Sequence, residues 1–317
     1  MNLKSFLKLV EIQTKMASVI PFLFGVVYTL YRFPNFNARG VATFFISMLC
    51  FDMFTTALNN YQDYRGAIKK EGYNYETHNA IVSHKLSVRS VKAILTLLLL
   101  FAVVFGLFTF LSNDYTVLVL GALSFGVGIL YSAGPLPISR TPLGELLSGL
   151  FMGGILPFLV IYLSAYESNP LILKLTASSL TVTLAWPVLL PMALSVVPAI
   201  CCIANIMLAN NICDVEDDLP NKRYTLPVQI GRPKALLLFG GLYAAAYLDI
   251  LLCTVLGYLP LPSLIVLPGA IFVFKNVRTF FRLHTKKDTF SLSILNFLII
   301  LLPLILSLIP SILGKYL

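Results

Sequence analysis

The sequence predicts an all-α polytopic membrane protein of nine transmembrane helices, and three observations carry that prediction. Hydrophobic residues make up 58% of the 317 and charged residues 12%, with a mean hydropathy of +0.86. A soluble domain of this size is far less apolar. The apolar residues come in unbroken runs long enough to cross a bilayer as helices, not in the short alternating segments of a membrane β-barrel. Lys and Arg cluster in every second connection between these runs, as cytoplasmic retention of basic residues demands.

Taken in order, spans are expected at 16–31, 41–58, 91–112, 115–132, 143–165, 186–209, 235–258, 260–277 and 291–313. The stretch before the first, MNLKSFLKLVEIQTK, is amphipathic and has no small-residue cleavage pattern. It reads as a retained interfacial helix leading into the first span. Residues 166–185 are polar from Tyr166 to Pro170 and then moderately apolar. A short re-entrant or surface helix is expected there, with a tenth span as the alternative. Pro21, Pro157, Pro187, Pro191 and Pro198 lie in or beside spans, where membrane helices tolerate them and bend.

With the N-terminus inside, the inner segments hold Lys4, Lys8 and Lys15, then Arg65, Lys69, Lys70, Lys85, Arg89 and Lys92, then Arg140. Lys222, Arg223, Arg232 and Lys234 follow, then Lys275, Arg278, Arg282, Lys286 and Lys287. Of the 23 basic residues only Arg32, Arg39, Lys174 and Lys315 fall outside. A multi-pass protein of the cell membrane with a cytoplasmic N-terminus is expected, in contact with membrane lipid. The net charge of +9 then reflects retention of cations on the inner side, not binding of nucleic acid. Nothing in the sequence calls for a protein partner. A single domain over 1–317 is expected. Cys50, Cys201, Cys202, Cys213 and Cys253 lie mostly within apolar segments, without the spacing of a metal site or a disulfide framework.

The chemistry concentrates in Asn210–Leu226, NNICDVEDDLPNKRYTL, where Asp214, Glu216, Asp217 and Asp218 are followed by Lys222 and Arg223. On a continuous helix, Asn210, Asp214 and Asp218 share one face. Carboxylates so placed repel unless a cation lies between them, and oxygen donors beside basic groups suit Mg²⁺ holding a phosphorylated substrate. A solvated turn after a membrane helix is the competing reading. A second copy weighs against it: Asn59–Asp63 reads NNYQD and Asn210–Asp214 reads NNICD. Both follow an apolar run and both fall on the inner face, so the connections 59–90 and 210–234 are expected to cap a central cavity from the cytoplasm.

The remaining polar residues say less. Asp52 lies inside the second span, either as a functional group or as a helix-to-helix hydrogen bond. Asp249 reads as a packing residue. Glu145 opens the fifth span behind the turn-rich YSAGPLPISRTPLG. The rings of Tyr61, Tyr64 and Tyr131 offer faces to a cation. His78, His84 and His284 lack zinc-site spacing, and there is no phosphate-cradling glycine loop, dinucleotide fingerprint or nucleophile elbow. The features together fit a substrate with a diphosphate head and a long hydrocarbon tail. Stabilising the departing diphosphate would leave an allylic cation for an electron-rich acceptor to intercept.

With these residues in hand, the sequence resembles the UbiA superfamily of intramembrane aromatic prenyltransferases over essentially its full length. It is most similar to the 1,4-dihydroxy-2-naphthoate prenyltransferases of menaquinone biosynthesis. The resemblance rests on P-x-x-x-G at Pro21–Gly25, the motif at 59–67, YSAGPLPISRTPLGE at Tyr131–Glu145, and NNICDVEDDLPNKRYTLPVQIG. It implies nine helices around a central cavity. It also implies Mg²⁺ and diphosphate bound by Asn59, Asp63, Asn210, Asp214 and Asp218, the three aspartates being catalytic. Asn60, Asn211 and Tyr131 would join the substrate site, and Lys222 and Arg223 would meet phosphate oxygens.

The substrates implied are a polyprenyl diphosphate and an aromatic acid, joined to give demethylmenaquinone, CO₂ and diphosphate. Lys15 and Arg140 are candidate partners for the acid's carboxylate, or ordinary inner-side charges. Several positions depart from the family's pattern. Asn60 and Ala67 stand where aspartates are usual, Cys213 where Arg is usual, and Lys222 where Gly is common. Acceptors such as 4-hydroxybenzoate or a haem or chlorin ring stay open, as does a secondary transporter of an anionic amphiphile. The transporter predicts inverted repeats, whereas both N-N-x-x-D copies have the same membrane polarity.

Overall fold

Long apolar stretches without internal breakers form helices here, and the helices end where polar caps and turns intervene. In this computed structural model, which describes residues 2–66, 79–168, 170–175 and 178–316, nine helices are long and apolar enough to cross a bilayer. They are Ile12–Arg32, Ala38–Arg65, Val88–Leu111, Tyr115–Ser132, Gly144–Ser168, Trp186–Cys213, Arg232–Val255, Leu261–Arg282 and Ser291–Lys315, numbered here as spans one to nine. Each expected span has its counterpart. Ala67, Lys69, Lys70 and His78, and with them most of the first expected capping connection, lie outside the described residues.

The N-terminal segment is a helix, Leu3–Leu9, capped by Asn2, whose side chain accepts from the Ser5 amide. Glu11 at φ 48° then turns the chain into the first span. Leu9 and Val10 are fully buried in a small cluster with Phe54, Ile81 and Leu95 of the neighbouring segments. A larger apolar cluster is built mostly from spans one and five to nine, with Val41 and Met48 of the second and Val117 of the fourth, around Phe24, Tyr28, Ile161, Phe239 and Leu301. Outward-facing Leu100, Phe108, Leu237, Leu248 and Phe272 are exposed, the pattern of helices whose outer faces meet hydrocarbon.

Three local features differ from the expectation. The second span does not stop at 58: its helix runs from Ala38 to Gly66, because no proline or glycine interrupts it after the apolar run. Asn59, Asn60 and Asp63 therefore lie on a helix and not in a loop. The segment after the fifth span is a β-hairpin, Leu171–Leu175 against Leu180–Leu184, antiparallel with Leu171 opposite Leu184. Among the described residues there, neither a surface helix nor a tenth span is present, and the alternation in Leu180-Thr-Val-Thr-Leu is the period-two signal that fits a strand. Third, the acidic stretch is not one helix. Asp214 ends the helix Val197–Cys213 at φ −95°, ψ 3° and starts a separate turn, Val215–Asp218.

Two close approaches set the centre of the bundle. A Cβ on Gly153 would lie 2.5 Å from the Ala199 carbonyl oxygen, and one on Gly149 would lie 2.9 Å from the Ala204 Cβ. The fifth and sixth spans thus meet backbone to backbone through a Gly-x-x-x-Gly pair, the small-residue packing typical of membrane helices. Gly25 of the P-x-x-x-G sequence similarly lets the first span approach Val160 and the Pro157 carbonyl. Between Gly149 and Ile155 the fifth span winds as a π-helix, a local widening frequent at functional sites. It presents Phe151 and Met152 to the cavity described next.

Candidate active site

A cavity of about 1070 Å³ lies between spans one, two, four, five and six. Its apolar lining includes Phe151, Leu156, Leu159, Ile203 and Ile206 from the fifth and sixth spans. Ser18, Asp52, Thr55 and Thr56 from the first two spans also line it. Charged side chains from several elements complete the lining.

Both N-N-x-x-D copies contribute to this lining. Asn59 and Asp63, one turn apart on the second span, line the cavity together with Asn210 and Asp214 from the sixth. Asn210 Nδ2 donates to Asp214 Oδ2 at 3.4 Å. Among the described residues, the Asp63 carboxylate takes part in no ion pair. The second asparagine of each pair faces elsewhere. Asn60 is buried and donates to Glu11 Oε1 at 3.0 Å, while the Asn79 amide donates to its backbone carbonyl at 2.9 Å. Asn211 is buried and donates to Glu145 Oε1 at 2.8 Å. A helix shows only one residue of an adjacent pair to a given side, so Asn60 and Asn211 fasten the bundle while Asn59 and Asn210 face the cavity.

Asp218 does not join the stripe with Asn210 and Asp214. It is 2% exposed, its Oδ1 lies 3.2 Å from Arg223 Nε, and its Oδ2 accepts from Thr225 Oγ1 at 2.9 Å. Burial raises its carboxyl above the usual range, opposed by the Arg223 guanidinium and the Thr225 hydroxyl. Arg223 lines the cavity, so Asp218 reaches the site through Arg223. Lys222, at φ 54°, is exposed and does not line the cavity.

Arg140 does, and the Tyr224 amide donates to its carbonyl at 2.9 Å. This ties the connection before the fifth span to the loop behind the sixth. Lys15 lies 2.6 Å from Asp52 Oδ1 and also donates to Thr56 Oγ1 at 2.7 Å and the Asp52 carbonyl at 3.2 Å. With all three ammonium hydrogens committed, Lys15 is not free for a carboxylate. Tyr131 lines the cavity, and its buried hydroxyl has no partner among the described residues.

Lys286, from the turn between spans eight and nine, was not among the expected site residues. It lines the cavity and forms an ion pair with Asp214 Oδ2. The turn that carries it is pinned by Thr285, which donates from Oγ1 to Asp288 Oδ2 at 2.7 Å. Two adjacent lysines in a short connection were the only signal, and that signal also fits simple inner-side charge.

Among the described residues, no group of three or more His, Cys, Asp or Glu side chains is placed to hold a metal ion. The oxygen donors that line the cavity from the two N-N-x-x-D copies are the carboxylates of Asp63 and Asp214 and the side-chain oxygens of Asn59 and Asn210. An all-oxygen set without thiolate or imidazole fits a hard divalent cation such as Mg²⁺, which keeps several ligands from water or phosphate.

Fold and site define a membrane protein with nine candidate spans among the described residues and one cavity lined by apolar side chains, carboxylates and cations. Residues 18–302 match the UbiA prenyltransferase family. The chain belongs to that family and is a prenyltransferase. It is 27% identical over 236 residues to the 1,4-dihydroxy-2-naphthoate octaprenyltransferase of Bacillus subtilis (strain 168), covering 74% of this chain and 68% of that one. The fold is shared with a UbiA homologue from Aeropyrum pernix K1 at a TM-score of 0.67 and 18% identity, over 96% of this chain and 98% of that one. It is shared also with a UbiA homologue from Archaeoglobus fulgidus bound to DMAPP and Mg²⁺, at a TM-score of 0.63 and 16% identity, over 97% and 99%.

Proposed function

We propose that this prenyltransferase moves a polyprenyl group from its diphosphate to 1,4-dihydroxy-2-naphthoate, the step that commits the naphthoate ring to menaquinone. The observation that carries the reading is that one cavity is lined both by apolar side chains of the fifth and sixth spans and by the cavity-facing Asn and Asp of both N-N-x-x-D copies, together with Arg140, Arg223 and Lys286. The 27% identity to a naphthoate octaprenyltransferase supports the acceptor, and the binding of prenyl diphosphates with Mg²⁺ by homologues of the same fold supports the donor.

Asn59, Asp63, Asn210 and Asp214 would hold Mg²⁺, which when bound supplies positive charge to the departing diphosphate. Arg140 and Arg223 meet the remaining phosphate charge, and Asp218 keeps Arg223 in place. The apolar wall of the fifth and sixth spans takes the tail. The allylic C–O bond breaks and its electron pair leaves with the diphosphate. The ring carbon bearing the carboxylate forms the new C–C bond, and loss of CO₂ returns an electron pair to the ring. No proton or external electron is needed, so the immediate product is the quinol form of demethylmenaquinone. Tyr131, which lines the same cavity, supplies an aromatic ring able to stabilise a developing carbocation. The bias of Lys and Arg supports a cell-membrane location with the N-N-x-x-D side facing the cytoplasm.

The test is to incubate the purified, reconstituted protein with polyprenyl diphosphate, the naphthoate and Mg²⁺, and to follow products by mass spectrometry. Parallel reactions contain 4-hydroxybenzoate or EDTA. Prenylated, decarboxylated naphthol formed only with Mg²⁺ is expected. Its absence, or preference for 4-hydroxybenzoate, overturns the assignment of the acceptor.

A further inference from the structure

Two aspartates line the same cavity in unequal states. Asp63 is unpaired among the described residues, while Asp214 Oδ2 is held by Lys286 Nζ and by Asn210 Nδ2 at 3.4 Å. Lys286 lies 72 residues from Asp214 in sequence, on a different connection, so nothing in the local fold of the sixth span requires the contact. The lysine side chain is 55% exposed and the aspartate 14%, so the ammonium reaches in from the open side. A lysine is a compact charge on a flexible stem and can leave a carboxylate without disturbing the backbone. Asp218, by contrast, is enclosed by Arg223 and Thr225, and its pair is part of the loop's own structure.

We propose that Lys286 is the exchangeable counter-cation of Asp214. In the free enzyme it neutralises the carboxylate that the metal needs, and when metal and diphosphate arrive it turns to the diphosphate oxygens. This rests on the diphosphate reading above and adds a residue and an order to it. Lys286 opposes binding of a metal ion that comes alone, because the ammonium must then give up Asp214 with no anion to receive it. The same ammonium favours a diphosphate. One residue therefore shifts the affinities for the two ligands in opposite directions, as a group that trades partners between two states must.

The experiment measures the two ligands separately on the purified full chain in detergent. Mn²⁺ binding without diphosphate is followed by the loss of the free-ion EPR signal, and radiolabelled pyrophosphate binding is measured in EDTA. For Lys286→Met we expect Mn²⁺ to bind about 5- to 10-fold more tightly and pyrophosphate to bind weaker by a similar factor, within the usual span of such couplings. Lys286→Arg should restore both. Lys286→Gln, which keeps polarity without charge, should follow the methionine variant and serves if the latter does not fold. Shifts in the same direction, or a change in only one ligand or neither, overturn the role of Lys286 and leave the diphosphate reading standing. A wild-type protein that binds neither Mn²⁺ nor pyrophosphate overturns both.

Discussion

Lys15 Nζ sits 2.6 Å from Asp52 Oδ1 inside the bundle, and Ser18 Oγ donates to the other carboxylate oxygen at 2.5 Å. Both ends are well enclosed, with side-chain exposures of 5% and 11%. The pair joins the first and second spans beside the cavity. An aspartate within a span, open to either a functional or a structural reading from sequence, is thereby the counter-ion of a lysine that sequence alone offered to the substrate.

Breaking that pair from one side should be costly. Asp52→Ala leaves a buried ammonium without its partner, a loss of about 3–5 kcal/mol in comparable pairs. The double variant Lys15→Met/Asp52→Leu should recover most of it. Thermal unfolding of the detergent-solubilised variants measures the difference. Equal destabilisation of single and double variants would mean the pair contributes no coupling.

The two cavity-facing aspartates and the enclosed one should separate in activity assays. Asp63→Ala and Asp214→Ala are each expected to abolish measurable transfer, a fall beyond about 100-fold, as for loss of a group that stabilises charge in the transition state. Asp218→Asn keeps the shape around Arg223 and Thr225 and should mainly raise the KM for prenyl diphosphate. Full activity in either alanine variant would unseat the site.

Asp218 also gives a pH signature. Its folded carboxyl is raised by burial, so the native state holds that proton more tightly than the unfolded chain. The contribution to stability is present below the ordinary aspartate value of about 3.9 and is lost as pH rises through the raised folded value. The melting temperature of wild type relative to Asp218→Asn should therefore fall as pH is raised from the ordinary aspartate value through the raised folded one. A difference that grows over that range would contradict the direction.

The contact between the fifth and sixth spans predicts steric sensitivity at one glycine and tolerance at another. Gly153→Ala places a methyl 2.5 Å from a backbone carbonyl oxygen, whereas Gly126→Ala meets nothing within 4 Å. Overpacking of this kind costs about 1–3 kcal/mol, so only the first should lower the melting temperature appreciably. Equal melting temperatures would remove the close contact as a determinant of the bundle.

Much of this was legible in the linear sequence because hydropathy and charge bias are local. Each of the nine spans follows from its own run of apolar residues, and the paired N-N-x-x-D sequences mark where the chemistry gathers. Local signals failed where the outcome depends on periodicity in a short segment or on what lies opposite. The hairpin at 171–184 has strand alternation over only a few residues, too little to outweigh an apolar average. The stripe through Asn210, Asp214 and Asp218 assumed a helix that continues, but Asp214 ends it and Asp218 turns back to Arg223 and Thr225.

By itself, then, the sequence determined the class of fold, the number of spans and the two motifs, all of which depend on neighbours along the chain. Tertiary structure decided which member of each asparagine pair faces the cavity, why Lys15 is committed to Asp52, and that Lys286 meets Asp214. These are encounters between side chains far apart in sequence, and their free energies depend on distance and solvent exclusion, which exist only once the helices have packed.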